Sequence, residues 1–226
     1  MQESFEKQKQ QAAKLAASCI TPELIIGLGS GSTAEFFIQE LSKLPYANSL
    51  TCVASSQASY NLAQKLGLRL IPLESCSYVD IAIDGADAVD IDRNLLKGFG
   101  AALTREKIVA SMAKEFWILI DERKQRLKLP LERIPCEILP SAYSYIISKL
   151  HQKEMTASLR KKSASEDPFI SDNEAWIIDI DASGSSLGLK ELDLLLHLLP
   201  GVIETGLFLG FNIRLFDGSL KNQYLA

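Results

Sequence analysis

The sequence predicts an α/β protein, a largely parallel sheet covered by helices and interrupted by a small α+β domain. Three observations predict it. Short apolar runs alternate with helical stretches as far as about residue 120, the rhythm of β-α-β units. A glycine-rich turn, Gly27-Leu28-Gly29-Ser30-Gly31, joins the first apolar run to a helix. After Lys124 the order becomes β-α-β-β-α-β, the split βαβ pattern of a small ferredoxin-like unit.

Taken in order, residues 5–20 gather apolar and small side chains toward one side, which predicts a helix, and Thr21-Pro22 ends it. Leu24-Ile25-Ile26 is a strand, followed by the glycine turn and a helix over 34–44. Strands are expected at 50–54, 68–73, 79–83 and 116–120, with helices at 57–66 and 101–113. In the second part, strands are expected at 134–139, 156–161, 175–180 and 202–209, and helices at 142–150 and 190–199. The expected division is therefore 1–129 plus 207–226 for the parallel-sheet domain, with 130–206 inserted.

Composition narrows the function classes. The chain of 226 residues is 47% apolar and 23% charged, which excludes disordered, collagen-like and coiled-coil classes. Its 24 basic and 28 acidic residues give a charge of −4, so no nucleic-acid or anionic-membrane partner is expected. The most apolar stretch, 192–211, is interrupted by Asp193, His197, Pro200, Gly201 and Glu204, so no membrane span is expected. Residues 1–10 are polar, and no secretory leader is expected. Cys19, Cys52, Cys76 and Cys136 show no C-x-x-C spacing, which points to buried free thiols in a reduced, cytoplasmic setting rather than a zinc or redox site.

Three segments carry chemistry. The first is Gly27-Leu28-Gly29-Ser30-Gly31-Ser32-Thr33, where a strand meets a helix. Glycines let the backbone approach an anion, the helix start offers free N–H groups, and hydroxyls add donors. The segment suits a phosphate, but it lacks the third glycine of a dinucleotide fingerprint and the lysine of a Walker A loop. The second is Asp84-Gly85-Ala86-Asp87 after an apolar strand. Ligands bind at the carboxyl ends of parallel strands. Two carboxylates there could bind sugar hydroxyls, relay protons or hold a metal with Asp90 and Asp92, although those two read better as an exposed turn. The third is Lys97-Gly98-Phe99-Gly100-Ala101-Ala102-Leu103-Thr104-Arg105-Glu106-Lys107. Lys97 could neutralise an oxyanion, and Glu106, at a helix start, could move a proton. His151 and His197 read as bystanders, and no nucleophile–histidine pair is visible.

These segments, in this order, resemble type A ribose-5-phosphate isomerase. The family's first loop is similar to G-x-G-[ST]-G-S-T, its acidic turn is D-G-A-D, and its third motif is K-G-G-G-A-A-L-x-R-E-K. Further similarity lies at Ser55-Ser56-Gln57-Ala58-Ser59, Lys124-Gln125, Ser171-Asp172-Asn173 and Pro200-Gly201-Val202-Ile203-Glu204-Thr205-Gly206-Leu207-Phe208. The resemblance spans nearly the whole chain. It implies a Rossmann-like domain with a small inserted domain. It implies interconversion of ribose 5-phosphate and ribulose 5-phosphate in the non-oxidative pentose phosphate branch, with no metal or organic cofactor, in a homodimer or homotetramer. The family's base falls on Glu106. Its substrate-binding positions fall on Ser30, Gly31, Ser32, Thr33, Asp84, Gly85, Ala86, Asp87, Lys97, Gly98, Phe99, Gly100 and Lys124. Asp84, Asp87 and Lys97 are also expected to act in catalysis.

Two positions depart from the pattern. Ala88 stands where the family has an acidic residue, and Phe99 replaces a glycine. If that slot needs a positive φ, Phe99 is strained, and its ring narrows or covers the pocket. Two other readings compete. One is a phosphosugar sensor on a related scaffold, which would bind without turnover. The other is an acyl- or amine-transferring enzyme, for which the chain offers no nucleophile.

Overall fold

A computed structural model describes residues 2–219. The elements in chain order are α1 (Gln2–Ser18), β1 (Ile25–Leu28), α2 (Gly31–Ser42), β2 (Thr51–Ala54), α3 (Gln57–Lys65) and β3 (Val79–Gly85). Then come β4 (Ala88–Val89), β5 (Leu95–Leu96), α4 (Leu103–Met112), β6 (Ala113–Ile120), β7 (Ile134–Ile138) and α5 (Tyr143–His151). The chain finishes with β8 (Thr156–Leu159), β9 (Trp176–Asp181), α6 (Leu189–His197), β10 (Val202–Thr205), β11 (Leu207–Phe208) and β12 (Ile213–Asp217). Contacts divide it into two compact units. One holds the residues up to Ala86, Arg105–Gln125 and the residues from Phe211; the other holds Asp87–Thr104 and Arg126–Gly210.

The first unit is built on a five-stranded sheet, order β12-β6-β3-β1-β2, in which every pair is parallel. Parallel strands buried on both faces read as continuous apolar runs rather than alternating ones. Residues 116–120 and 81–83 do so, and all are buried. Helix α1 closes the core with Ala12, Ala13 and Ala16, whose small side chains allow a close approach. Gly218 passes so near α1 that a Cβ there would lie 1.7 Å from the Gln8 carbonyl.

The expected strand at 68–73 is absent. Arg69 accepts from Cys52 N and Ile71 donates to the Cys52 carbonyl, but Pro72 has no N–H to extend the ladder, and the chain turns into a 3₁₀ helix. The sheet ends instead on β12, in a stretch for which no strand is expected from the sequence.

The second unit holds a four-stranded antiparallel sheet, order β10-β7-β9-β8, and a three-stranded one, β11-β5-β4. Counted within the inserted segment, the first order is 4-1-3-2, the arrangement expected of a split βαβ unit. One core joins Cys136, Ile138 and Ile178 of its sheet to Ile146, Leu150, Leu192 and Leu196 of α5 and α6. Ala88, Leu96 and Leu207 belong to that same core. This is why 87–104 groups with the second unit and not with the parallel sheet, contrary to the boundaries expected from the sequence. Of the 207–226 tail, residues 220–226 lie outside the described residues. The expected single strand at 202–209 is two strands in two sheets. Gly206 divides them, donating to the Pro135 carbonyl and accepting from Lys97 N, with no room for a Cβ beside the Lys97 oxygen at 2.3 Å.

All four cysteines are free, but only Cys52 and Cys136 are buried, and burial pushes the Cys52 thiol up to about 12. Cys19 is exposed and Cys76 half-buried, against the expectation of buried thiols. Asp90 is a turn residue, as expected, yet it is buried. Its carboxylate accepts the N–H groups of Asp92 and Asn94 at the β4–β5 turn. Among the described residues, no helix is long and apolar enough to cross a membrane.

His197 is not a bystander to the fold. Its Nδ1 lies 2.9 Å from the Asp193 carbonyl and its Nε2 2.8 Å from Glu204 Oε1, tying α6 to β10. Asp193 first and then Glu204 raise its pKa from 6.5 to about 10, against the opposing effect of burial. A histidine held charged in the fold contributes stability that is fully present below its unfolded pKa and is lost as pH rises through the folded one. The wild type is therefore expected to lose stability relative to His197→Gln between about pH 6 and pH 10. Denaturation midpoints of both proteins across that range test this; parallel curves refute it.

Candidate active site

A parallel sheet puts every strand's carboxyl end on one edge. The helices that return between strands start on that same edge. In the first unit this edge carries the glycine loop after β1, Ser55 after β2, Asp84 and Gly85 at the end of β3, and the Glu122–Lys124 turn after β6. The start of α4, with Glu106 in its first turn, leads back into β6.

The glycines are spaced by what they must admit. A Cβ on Gly27 would lie 2.4 Å from Val109 of α4, and one on Gly29 would lie 2.1 Å from the Asp84 carboxyl carbon. Gly31, at φ +79°, opens α2 in a conformation that side chains avoid. Asp84 is only 3% exposed, and its Oδ1 accepts the N–H groups of Ser30 at 3.1 Å and Gly85 at 2.7 Å. Ser30 stands at the N-cap of α2 but makes no capping bond with its side chain; its hydroxyl donates to Glu106 Oε1. Glu106 is 5% exposed. Gly29, Ser55, Asp84 and Glu106 meet around a crevice with no space for a water molecule. Ser55 Oγ, buried there, has no hydrogen-bond partner among the described residues.

The serine-rich stretch after β2 supports this loop. Ser56 caps α3 by accepting from Ser59 N, and Ser59 Oγ donates to the Gly29 carbonyl at 2.5 Å. Gly31 and Ser32, in the first turn of α2, are exposed. Lys9 of α1 adds a cation, its Nζ donating to Ser32 Oγ at 2.8 Å. Sequence reading missed Lys9. It is 23 positions from its partner, on a helix with no motif, and only the packing of α1 brings it there. Lys124 sits in a 3₁₀ turn capped by Asp121, which accepts from Arg123 N. Burial alone would raise the Asp121 pKa, but hydrogen bonds from Arg123 hold it below the usual carboxylate range.

The second unit carries the other expected residues. Lys97 is 3% exposed, its N–H bonded to the Gly206 carbonyl and its Nζ 5.5 Å from the centre of the Phe208 ring. Asp87 N–H donates to the Leu96 carbonyl, and Asp87 Oδ2 accepts from Phe99 N at 2.9 Å. The positive φ angles of this loop fall on Gly98 (+99°) and Ala101 (+65°). Phe99 is not among the positive-φ residues, so the strain expected there is absent. A Cβ on Gly98 would press Pro135 and Leu103 at about 3 Å. The Phe99 ring is 40% exposed, with the Arg133 guanidinium 4.5 Å from its centre. The structure thus joins Ser30, Asp84 and Glu106 in one unit, and Asp87 to the Lys97–Gly100 loop in the other.

Comparison with known proteins gives this geometry a family. Residues 51–219 match the family model of ribose 5-phosphate isomerase A (phosphoriboisomerase A). The chain is 41% identical over 221 residues to ribose-5-phosphate isomerase A of Methanococcus vannielii, covering 96% of this chain and 92% of that one. It superimposes on the Methanocaldococcus jannaschii ribose 5-phosphate isomerase A with a TM-score of 0.85 at 34% identity, over 94% of this chain and 95% of that one. A D-ribose-5-phosphate isomerase solved in complex with phospho-erythronic acid gives a TM-score of 0.86 at 35% identity, with 94% and 95% covered. With its motifs in family order and the match running through both units, the chain belongs to the ribose 5-phosphate isomerase A family.

Proposed function

We propose that the protein interconverts D-ribose 5-phosphate and D-ribulose 5-phosphate through an enediolate, with Glu106 as the base. The observation that carries this reading is the buried Glu106 carboxylate, held by the Ser30 hydroxyl beside Asp84 at the carboxyl edge of the parallel sheet. Family membership supports it. The phospho-erythronic acid bound by a relative is a phosphorylated four-carbon acid, whose planar carboxylate has the shape and charge of an enediolate.

The chemistry follows from the groups. Glu106 takes the proton from C2 of the open-chain aldose. The C2–H electrons form the C1=C2 bond, and the carbonyl electrons move onto O1. Lys97, by the family pattern, meets that negative charge. A proton passes to O1 and another leaves O2, the shuttle given to Asp84 or Asp87. Glu106 then returns its proton to C1, leaving the ketone at C2. One carboxylate thus serves both carbons, and a base that takes and returns one proton is regenerated each cycle. The phosphate is given to the start of α2, where exposed helix N–H groups, Ser32, Thr33 and the Lys9 ammonium form an anion site, with Lys124 as a second cation. Holding the phosphate fixes the reacting carbons at a distance from it.

The proposal keeps the phosphopentose as the partner, a homodimer or homotetramer as the assembly and the cytoplasm as the setting. Leu194 on α6 and Leu198 just past its end, exposed one turn apart, are the kind of surface that an assembly covers.

Glu106→Gln is expected to fold normally, since an amide oxygen still accepts from Ser30, and to lower kcat about 10²–10⁴-fold. Asp84→Asn likewise keeps an acceptor for Ser30 and Gly85 and is expected to lose turnover. The assay is ribulose 5-phosphate formation with EDTA present. Wild-type turnover in both variants refutes the roles; a folded wild type that binds ribose 5-phosphate without converting it is a sensor. Lys9→Ala is expected to raise KM for ribose 5-phosphate about tenfold or more with a smaller change in kcat, and to weaken inhibition by inorganic phosphate in parallel. An unchanged KM removes Lys9 from the phosphate site.

A further inference from the structure

Within the second unit, the loop carrying Lys97 is gripped by a buried guanidinium. Arg160, just beyond β8, has a side chain only 10% exposed. Its Nε and Nη2 donate to the two oxygens of Asp179 on β9. Its Nη1 donates to two successive carbonyls, Gly98 at 2.8 Å and Phe99 at 3.1 Å. Arg133 donates to Asp179 at 3.2 Å and lays its guanidinium over the Phe99 ring. A lysine could satisfy Asp179 or one carbonyl; the planar fork of arginine reaches all of them at once.

The far side of this grip is a carboxylate of the proposed site. In a trans peptide, the C=O and the following N–H point in opposite directions. The peptide between Gly98 and Phe99 is fixed at both ends, its carbonyl on Arg160 and its N–H on Asp87 Oδ2. Asp179, Arg160, this peptide and Asp87 form a chain of hydrogen bonds. Gly98 needs its positive φ to present that carbonyl, and no side chain fits in its place. A buried ion pair is weak evidence of stability, because desolvation offsets most of its attraction; what it supplies is a fixed geometry.

We infer that Arg160, anchored by Asp179, is a positioning residue that orients Asp87 and the 97–100 loop for the sugar phosphate. This deepens the isomerase reading and rests on it. In this chain the Phe99 ring adds a second hold, through Arg133, at a position the family fills with glycine.

The test is Arg160→Lys in the full-length protein, read three ways. The melting temperature is expected to stay near wild type while kcat/KM for ribose 5-phosphate falls about tenfold or more. The Phe99 amide, followed by hydrogen exchange, is expected to exchange about tenfold faster as its peptide loses a hold. Asp87→Asn is expected to cost less in the Arg160→Lys background than in wild type, because the two residues act through one chain of bonds. Wild-type kcat/KM, an unaltered Phe99 amide, or additive losses overturn the inference. A lowered melting temperature with unchanged kinetics marks Arg160 as structural only and also overturns it. If Arg160→Lys does not fold, Asp179→Asn carries the same readouts. The amide exchange needs no turnover, so a failed isomerase reading, seen as an inactive wild type, stays distinct from a failed clamp.

Discussion

The carboxylate of Asp84 lies against the backbone of Gly29 with no room for a methyl group, and the arrangement of Ser30 and Glu106 depends on that contact. It fixes the end of β3 against the loop after β1, since one oxygen of Asp84 takes the N–H groups of both Ser30 and Gly85. With its backbone held, Ser30 turns its hydroxyl away from its own helix and toward Glu106. Under the proposed function, the start of α2 then receives the phosphate. A larger residue at position 29 would move Asp84 and Ser30 together. The same economy of space recurs at Gly27, where α4 packs directly on β1 and brings Glu106 to the sheet edge. These glycines act as absences of side chain, and a plain turn would not need them.

Much of this was legible in the sequence. Long periodic stretches gave α1, α2 and α3 nearly in place, because periodicity records burial on a face, and continuous apolar runs gave β3 and β6. The three motifs marked Ser30, Asp84 and Glu106, which the structure bonds together, and Asp87, which it bonds to the Lys97–Gly100 loop, because short-range chemistry is written in short-range sequence. What failed was long-range. Strands of two residues, such as β4, β5 and β11, have no period and exist only through their partners. Residues 87–104 follow β3 in the chain but pair with β11, so nearness in sequence assigned them to the wrong unit. Residues 202–209 look like one strand because the break at Gly206 arises from contact with residues 97 and 135. The φ of Phe99 was unreadable for the same reason: the loop places its left-handed residues on either side of it.

Several buried carboxylates are held by groups that fix their direction. Glu137, fully buried in the middle of β7, accepts from Thr104 Oγ1, Ser171 Oγ and Asn173 Nδ2. This gives the serine–asparagine pair of Ser171-Asp172-Asn173 a structural task. Asn173 reaches both oxygens, so each keeps a donor if Thr104 or Ser171 is lost, and the network is held as a whole. Thr104 lies in the first turn of α4, two residues before Glu106. Glu137 thus fastens the start of α4 from β7.

A proton-transfer enzyme needs its base fixed to within a fraction of an ångström and yet able to exchange partners during the reaction. The two carboxylates of the first unit divide these demands. Asp84 is bonded to backbone N–H groups, which cannot rotate away, so it serves as a fixed acceptor. Glu106 is bonded to a serine hydroxyl, which can turn about its own bond toward a substrate hydroxyl without moving the main chain. Ser30 therefore acts in both networks: its N–H holds the frame and its O–H can follow the chemistry. A carboxylate gripped only by backbone amides could not exchange partners as a reaction proceeds. One left wholly to solvent would lose the orientation that makes the transfer fast. In the proposed reading, the placement of Glu106, buried and bonded to a rotatable hydroxyl, meets both requirements.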